Sequence, residues 1–332
     1  METRAKRKAK ASSSVVLYPK RHRVVLGEFL DFPNLHENPC KEKLQSQKNP
    51  SPTNKALFSS GIDESYVSHI DEYLYEMERK RRPMMNYIEK VQKTVTSSMR
   101  AILVDWLVEV AEEYKLLSDT LHLSVSYIDR FLSVNPMTKS RLQLLGVSSM
   151  LIASKYEEID PPSVDQFCSI TDNTYDKEEV IKMEASILNS LNFEMGNPTV
   201  NTFLRRFVDV ASEDQKIPNL QIEFLSNYLT ELSLLDYDCI RFLPSIVAAS
   251  VIFLARFIIS PKVHPWTSSL CECSGYKSDE LKECVLILHD LYLSRKAPDF
   301  KAVRDKYKQH KFKYVANLPS PPFIPSCYFE DQ

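Results

Sequence analysis

Side chains that could carry out catalysis are few in this sequence. Two carboxylate pairs, Glu112-Glu113 and Glu157-Glu158, are the groups to weigh for acid–base chemistry. Neighbouring residues point in different directions on a helix, so we interpret both pairs as solvated charges at helix ends. The seven His include no His-x-x-x-His pair for a metal, and five Gly in 332 residues leave no phosphate-binding loop or dinucleotide fingerprint. We therefore predict a non-catalytic protein with no metal site and no cofactor.

The cysteines indicate the compartment. They are odd in number and scattered, at Cys40, Cys168, Cys239, Cys271, Cys273, Cys284 and Cys327. This arrangement gives no disulfide framework and favours a reduced intracellular compartment. The N-terminus lacks the apolar stretch of a secretory signal. The apolar run from Phe242 to Ile259 is interrupted by Pro, Ser and Arg, so we predict a buried helix there and no membrane partner.

Charge is distributed unevenly along the chain. Residues 1–60 contain 12 Lys and Arg and 5 Asp and Glu, a net of +7, so the remainder carries −9 within the overall −2. The clusters near Arg7 and Arg21 match nuclear-import or nucleic-acid patches, although solvated charge in a flexible tail is the alternative. Pro, Ser and Asn are frequent and no helical period is sustained. We predict a disordered basic arm and a nuclear location, with the cytoplasm as a second location.

The segment 99–110 has the strongest helical signal. At helical spacing one stripe contains Met99, Ile102, Leu103, Trp106 and Val110, and a second contains Val104, Leu107, Val108 and Ala111. Ser97 or Ser98 could cap its start. A helix with two apolar faces is either buried all round or presents one face to a partner. Arg100, Asp105 and Glu109 interrupt the stripes, so full burial would require partners for three charges.

An internal repeat defines the domains. The segment Tyr175–Val180 recurs as Tyr276–Leu281, an offset of 101 residues that also aligns the apolar positions of 99–107 with those of 200–208. We predict helices in the first copy at 97–113, 119–133, 141–156, 163–170 and 176–191. The third of these mixes large and small residues and is predicted to be the central helix. The fold class is all-α, with two tandem five-helix repeats preceded by one N-terminal helix and the disordered arm. The predicted segments are the arm 1–60, the N-terminal helix and linker 61–96, the repeats 97–197 and 198–300, and a C-terminal helix and tail 301–332.

Several motifs together resemble one family. They are Met99–Leu107, Tyr127–Leu132, Ala153–Ile159, Tyr175 and Met183-Glu184, and they resemble an A-type cyclin over about residues 62–310. The arm segment Arg23–Glu28 resembles the plant A-type subgroup. The resemblance implies that each repeat is a cyclin box. It also implies a regulatory subunit, without catalysis of its own, that binds and activates a cyclin-dependent protein kinase.

The same resemblance assigns site residues. Lys155 and Glu184 would hold the mobile helix of the kinase, although Lys155 alone could simply compensate a helix dipole. The apolar contacts beside them would come from Tyr156, Leu188 and Phe193, and from Ile70 and Tyr73 on the N-terminal helix. Tyr156 departs from the Phe that the family commonly has. Arg100 and Asp129 would form an internal ion pair.

A docking groove is implied for the spare face of segment 99–110. It would receive substrates and inhibitors that bear Arg-x-Leu, through Met99, Ile102, Leu103, Trp106, Leu142 and Gln143. Glu109 would bind the basic residue of the ligand, because a carboxylate pairs well with Arg. The alternative is that these apolar residues are core, with Leu103 the first candidate.

The arm carries two short motifs. Arg23 and Leu26 resemble a destruction box read by a ubiquitin ligase, although Asp31 stands where the family prefers Asn. Ser51-Pro52 matches the sites of proline-directed kinases.

Two other functions stay open. Transcription initiation factors with the same doubled fold bind DNA and polymerase, but residues 61–332 are net acidic, so no direct nucleic-acid binding is expected. An inert scaffold is the other alternative.

Overall fold

The computed structural model describes residues 64–213, 219–294 and 300–330. The predicted arm, with Arg23, Leu26 and Ser51, lies outside these residues. The first described helix, α1, spans Glu64–Lys80 and is followed by the short α2, Tyr87–Lys90. The predicted N-terminal helix is therefore present.

Five helices form the first repeat. They are α3 Ser97–Glu113, α4 Ser118–Leu132, α5 Leu142–Glu157, α6 Val164–Ser169 and α7 Lys177–Ser190. Every predicted boundary agrees within one residue. The predicted cap of α3 was wrong, because the helix already begins at Ser97. Thr96 caps it instead, and its Oγ1 accepts a hydrogen bond from the Met99 amide at 3.3 Å.

The second repeat follows the same order. Its helices are α8 Val200–Glu213, α9 Asn219–Leu235, α10 Pro244–Ile259, α11 Ser268–Ser274 and α12 Ser278–Tyr292. The offset of 101 residues places each of them on its counterpart in the first repeat. The described part of the chain contains no strand. The prediction of two tandem five-helix repeats is confirmed.

The third helix of each repeat is the buried one. Helix α10 is buried along nearly its whole length, as predicted for the run 242–259, and no described helix is long and apolar enough to cross a membrane. In α5, small residues allow close helix packing. A Cβ added at Gly146 would lie 2.8 Å from Cδ1 of Leu103, which real Cβ atoms do not tolerate. Gly146 therefore allows α5 to approach α3.

Helix α1 packs on the second repeat. Tyr75 donates a hydrogen bond to the Ser274 carbonyl at 3.1 Å. The Glu78 carboxylate accepts hydrogen bonds from both the amide and the hydroxyl of Ser245, at 2.9 and 2.7 Å. One side of α1 thus lies on the main body, while Ile70 and Tyr73 stay about half exposed.

Polar contacts cross between the repeats in both directions. Arg100 of α3 donates to the Leu234 carbonyl of α9 at 2.7 Å. At the position 101 residues later, Asn201 of α8 donates to Asp119 of α4 at 2.9 Å. The two equivalent positions therefore each contact the other repeat.

The C-terminal segment also contacts the first repeat. It begins with α13, Ala302–Tyr307, whose first amides donate to the Asp105 carboxylate. Glu112 pairs with Lys311 at 2.9 Å and with Lys306 at 3.5 Å. The interpretation of Glu112 as a solvated charge was therefore wrong, because its partners come from a distant part of the chain.

Glu158 requires the same correction. Its Oε1 accepts a hydrogen bond from the Leu117 amide at 2.7 Å and another from the Thr120 hydroxyl. The residue thus connects the end of α5 to the start of α4. Both carboxylates have structural roles that local sequence does not reveal.

Candidate functional site

Lys155 and Glu184 form an ion pair between the two helices that carry them. Lys155 lies in the last turn of α5 and Glu184 in the middle of α7, and Nζ lies 2.6 Å from Oε1. The Lys155 side chain is 48% exposed and that of Glu184 is 14% exposed. The pair is therefore formed within the chain and remains open to a partner on the lysine side.

Exposed aromatic rings flank this ion pair. Tyr156 follows Lys155 directly and Phe193, just beyond α7, is 65% exposed. Leu188 lies one turn after Glu184, and its carbonyl accepts a hydrogen bond from the Phe193 amide at 2.9 Å. Tyr156 is close to the loop that carries Phe193, since a Cβ at Gly196 would meet its hydroxyl at 2.5 Å. Together these side chains form a mainly apolar surface around a polar centre.

The exposed side of α1 adjoins this surface. Arg81, directly after α1, donates to the Gly196 carbonyl, and its Nε lies 3.6 Å from a Glu194 carboxylate oxygen. The end of α1 therefore contacts the loop after α7. The half-exposed Ile70 and Tyr73 extend the apolar surface along α1.

Two exposed isoleucines of the same region were missed. Ile181 lies three residues before Glu184 on α7, so both share a face with Leu188. Ile159, two residues beyond the end of α5, is fully exposed. Helical spacing from Glu184 could have identified Ile181. Ile159 carries no periodic signal, because it lies beyond the end of the helix.

Arg100 and Asp129 form the internal ion pair that the resemblance implies. The guanidinium makes two 2.7 Å hydrogen bonds to the carboxylate, and Tyr87 donates to the same carboxylate at 2.9 Å. Burial alone would lower the pKa of Arg100, but the Asp129 carboxylate outweighs this effect and raises it. Arg100 is thus a permanently charged structural residue, and it does not belong to an exposed site.

The apolar side chains on α3 line an open groove. The residues that line it are Met99, Ile102, Leu103, Trp106, Lys139, Leu142 and Gln143. Ile102 is 58% exposed, whereas Leu103 and Leu142 are buried and form the floor. Leu103 and Leu142 are therefore core residues, which was the alternative to a groove. Ile102, Met99 and Trp106 face the groove with at least part of their surface.

The charged residues of the groove differ from the expectation. Glu109 is not among the lining residues but lies exposed, one turn beyond Trp106 on α3. Partial desolvation of its carboxyl group and repulsion from Asp105 nevertheless raise the pKa of Glu109. Lys139, which the sequence analysis missed, lines the groove from the short 3-10 helix Lys139–Arg141. This helix has no periodic apolar pattern that could have revealed it.

Comparison with known proteins identifies the family. Residues 69–196 match the family described as Cyclin, N-terminal domain, and residues 198–321 match Cyclin, C-terminal domain. Cyclin-A3-4 of Arabidopsis thaliana is 53% identical over 353 residues, which cover 99% of this chain and 95% of that protein. The G2/mitotic-specific cyclin C13-1 of Daucus carota is 62% identical over 269 residues, covering 80% of this chain and 79% of its own.

A solved structure shares the fold. The viral cyclin from herpesvirus saimiri is 23% identical, with a TM-score of 0.58, and the match covers 66% of this chain and 95% of the viral one. At this identity the likeness concerns the arrangement of helices alone. The two family matches together span both helical repeats and leave only the N-terminal part of the chain and its last residues unmatched. The chain therefore belongs to the cyclin family, within which it resembles the A-type cyclins of plants.

Proposed function

We propose that this cyclin binds and activates a cyclin-dependent Ser/Thr protein kinase through the surface around Lys155 and Glu184. The observation that carries the proposal is the Lys155–Glu184 ion pair, which is flanked by the exposed rings of Tyr156 and Phe193. Exposed apolar side chains that lie together in one region favour a protein interface. Their burial against a partner would favour the complex, since removing apolar surface from water is favourable.

Activation follows from kinase chemistry. A protein kinase is active when its β3 Lys pairs with the Glu of its mobile αC helix and its activation loop is ordered. A cyclin that binds only this arrangement shifts the equilibrium by its difference in affinity for the two states. Lys155 and Glu184 would hydrogen-bond the mobile helix, while the surrounding apolar residues supply most of the binding energy. The cyclin itself contributes no catalytic group to this mechanism.

The groove on α3 would recruit substrates and inhibitors that bear Arg-x-Leu. The buried floor at Leu103 and Leu142 suits an apolar ligand side chain, and Ile102 and Trp106 supply exposed walls. Glu109, one turn beyond Trp106 on α3, would attract the ligand's arginine. Lys139 would repel a cation, so we expect the arginine to lie toward Glu109 and away from Lys139.

Turnover and location are proposed for the arm. Arg23 and Leu26 would bind a ubiquitin ligase, and the basic clusters nearby would direct the protein to the nucleus. Both roles require only short accessible segments with cations and one apolar side chain.

Stimulation of a purified cyclin-dependent kinase by the purified chain tests the main proposal. We expect phosphate transfer to a short peptide to rise by orders of magnitude on addition of the chain. No stimulation, together with tight binding of duplex DNA in a gel shift at low salt, would favour the transcription-factor alternative.

A further inference from the structure

A narrow cleft lies where the linker after α1 meets both repeats. Arg81 and Arg82 line it from the linker, Asp129 from the first repeat, and Ile240 and Phe242 from the second. The cleft is distinct from the α3 groove, with which it shares no lining residue. None of the roles proposed above uses its interior.

The acidic groups of the cleft already have partners. Asp129 accepts hydrogen bonds from Arg100 and Tyr87, and both oxygens of Glu78 accept from Ser245. Arg100 is likewise committed to Asp129 and to a backbone carbonyl. The charged groups that remain available to bind a ligand are therefore the guanidinium groups of the linker residues Arg81 and Arg82.

Arg82 has donors to spare. Its Nη2 donates to the carbonyls of Ile240 and Arg241, at 3.3 and 2.9 Å. A guanidinium has five N–H donors, so the Nε and Nη1 donors are left, and these two bonds go to carbonyls rather than to a carboxylate. Burial lowers the pKa of Arg82, an effect that the charge of nearby Glu78 only partly offsets. This half-buried cation would gain from a bound anion.

Arg81 lies beside it at the mouth of the cleft. Its carboxylate partner, Glu194, is half exposed and 3.6 Å away, which is too long for a close hydrogen-bonded pair. An anion between the two arginines would compete with the half-exposed Glu194 for Arg81, while the carboxylates that line the cleft, Asp129 and Glu78, keep the partners given above. The apolar walls at Ile240 and Phe242 lower the local dielectric and strengthen such an interaction.

We propose that this cleft binds a phosphate monoester whose oxygens are held by Arg81 and Arg82. A phosphorylated side chain carries a charge of about −1.5 to −2 and three acceptor oxygens, which match two guanidinium groups better than a carboxylate does. Bound there, the phosphate would join the end of α1 to both repeats. The site is independent of the proposed kinase activation.

The phosphate could come from the arm or from another protein. Ser51-Pro52 matches a proline-directed phosphorylation site, and Ser51 lies 13 positions before the start of α1 at Glu64. Such a segment spans at most roughly 45 Å. The 17 residues of α1 extend over about 25 Å, so a phosphate on Ser51 could reach Arg82 at the far end of the helix.

Binding of a labelled peptide to the purified full chain tests the proposal. The peptide spans residues 46–56 with phosphate on Ser51, and its fluorescence anisotropy is compared with that of the unphosphorylated peptide. We expect Arg82→Gln to weaken phosphopeptide binding at least ten-fold and Arg82→Lys to weaken it less. Lys80→Gln is the matched control, because it removes a neighbouring cation that pairs with Glu76 and does not line the cleft.

Equal binding of both peptides, or equal losses in Arg82→Gln and Lys80→Gln, would overturn the proposal. If circular dichroism shows that Arg82→Gln is unfolded, the melting temperature of the unmodified chain is measured with each peptide instead. The phosphopeptide should raise this temperature and the unphosphorylated peptide should not. An unchanged melting temperature with the phosphopeptide would contradict the site.

The source of the phosphate is found by comparing the chain phosphorylated on Ser51 with Ser51→Ala. Loss of peptide binding only in the phosphorylated chain supports occupation by its own arm. Equal binding by both chains supports a phosphorylated partner as the source.

Discussion

At the scale of single residues, pairing within the chain separates structural charges from charges that remain available. The buried Arg100–Asp129 pair has its hydrogen-bonding capacity filled by neighbours in the protein. Lys155 is bonded to Glu184 but remains 48% exposed, so some of its three donors are free for a partner. The two pairs look alike in sequence and differ in exposure. Exposure therefore selects Lys155 and Glu184 as the candidate binding residues.

The double change Lys155→Ala with Glu184→Ala should weaken kinase binding by about 2 kcal/mol or more, roughly 30-fold, because hydrogen-bonded charges at a desolvated interface contribute on this scale. Titration calorimetry with the purified kinase measures it. The control is Lys182→Ala with Glu178→Ala, an exposed pair on the same helix α7, which should leave affinity unchanged. Equal affinity of the test variant and the unmodified chain would exclude the ion pair from the interface.

The double change Met99→Ala with Trp106→Ala should reduce phosphorylation of Arg-x-Leu substrates while phosphorylation of a short peptide without that motif is nearly unaffected. Aromatic anchors typically contribute about 2 kcal/mol or more to such contacts. Kinase assays on both substrates measure the difference. Leu103→Ala serves as the contrast, because this buried residue should cost about 2–5 kcal/mol of folding free energy. Collapse of both activities in a misfolded Met99→Ala, Trp106→Ala variant would mean that these side chains are core.

Docking of a basic ligand should depend on pH through Glu109. Its raised pKa means that the carboxylate becomes protonated at a higher pH than an ordinary Glu, so attraction for the arginine is lost earlier as the pH falls. We expect affinity for an Arg-x-Leu peptide to decrease as the pH falls, and to begin decreasing at a higher pH than an ordinary Glu would give. In Glu109→Gln the affinity should be lower at pH 7 and the pH dependence should be smaller. Anisotropy between pH 5 and 8 measures both, and parallel curves for the two chains would remove Glu109 from the site.

At the scale of helices, local pattern predicted the elements and missed the contacts between them. The first-repeat helices begin and end where predicted because Pro136, Pro161-Pro162 and Pro198 separate them and their apolar periods are regular. The roles of Glu112 and Glu158 depend on partners far away in sequence, which no local pattern reveals. Lys139 was missed for a related reason, since its short 3-10 helix is placed beside α3 only by the fold. The sequence thus predicted the groove residues that lie on the long helices and did not predict the charged residue Lys139.

The contact between α13 and α3 should depend on pH through Glu112. Burial opposes ionisation of this residue, but the hydrogen bond from Lys311 and the charge of Lys306 outweigh it and hold the pKa of Glu112 below 4.5. A depressed pKa in the folded state stabilises the protein above the unfolded-state pKa, and this contribution is lost as the pH falls through the folded-state value. The chain should therefore be more stable than Glu112→Gln at pH 7.

The unmodified chain and Glu112→Gln should differ less in their free energy of unfolding once the pH falls below about 4.5. Urea unfolding at a series of pH values measures it. Glu113→Gln is the control, because this neighbour is exposed and should show no such pattern. A difference that stays constant down to pH 3 would contradict the assignment of the stabilisation to the ionised form.

At the scale of the whole molecule, the predicted organisation separates a folded body from an arm that carries short motifs for localisation, degradation and phosphorylation. The repeat offset is enough to identify both halves of the body, because a single shift of 101 residues aligns apolar positions over their whole length. The arm is identified by its composition, and its roles rest on short motifs. Changes in the arm should therefore alter lifetime and location without altering kinase activation.

Leu26→Ala should lengthen the half-life of the protein as cells leave mitosis, since a receptor for the destruction box would lose its apolar contact. Arg23 is left unchanged so that the basic clusters, and with them nuclear import, are preserved. A cycloheximide chase in synchronised cells measures the half-life, with nuclear localisation checked by microscopy. Leu44→Ala, another arm leucine, is the control. An unchanged half-life of Leu26→Ala in the nucleus would mean that the segment has no role in turnover.

The crossed contacts of Arg100 and Asn201 have a consequence for the symmetry of this architecture. These residues occupy the same position in the two copies, and each is committed to the other copy, Arg100 to Leu234 and Asn201 to Asp119. The two positions hold different residues, and the partner of Arg100 within its own copy, Asp129, has Thr230 as its counterpart. The two halves therefore share one arrangement of helices without being equivalent in the contacts that join them.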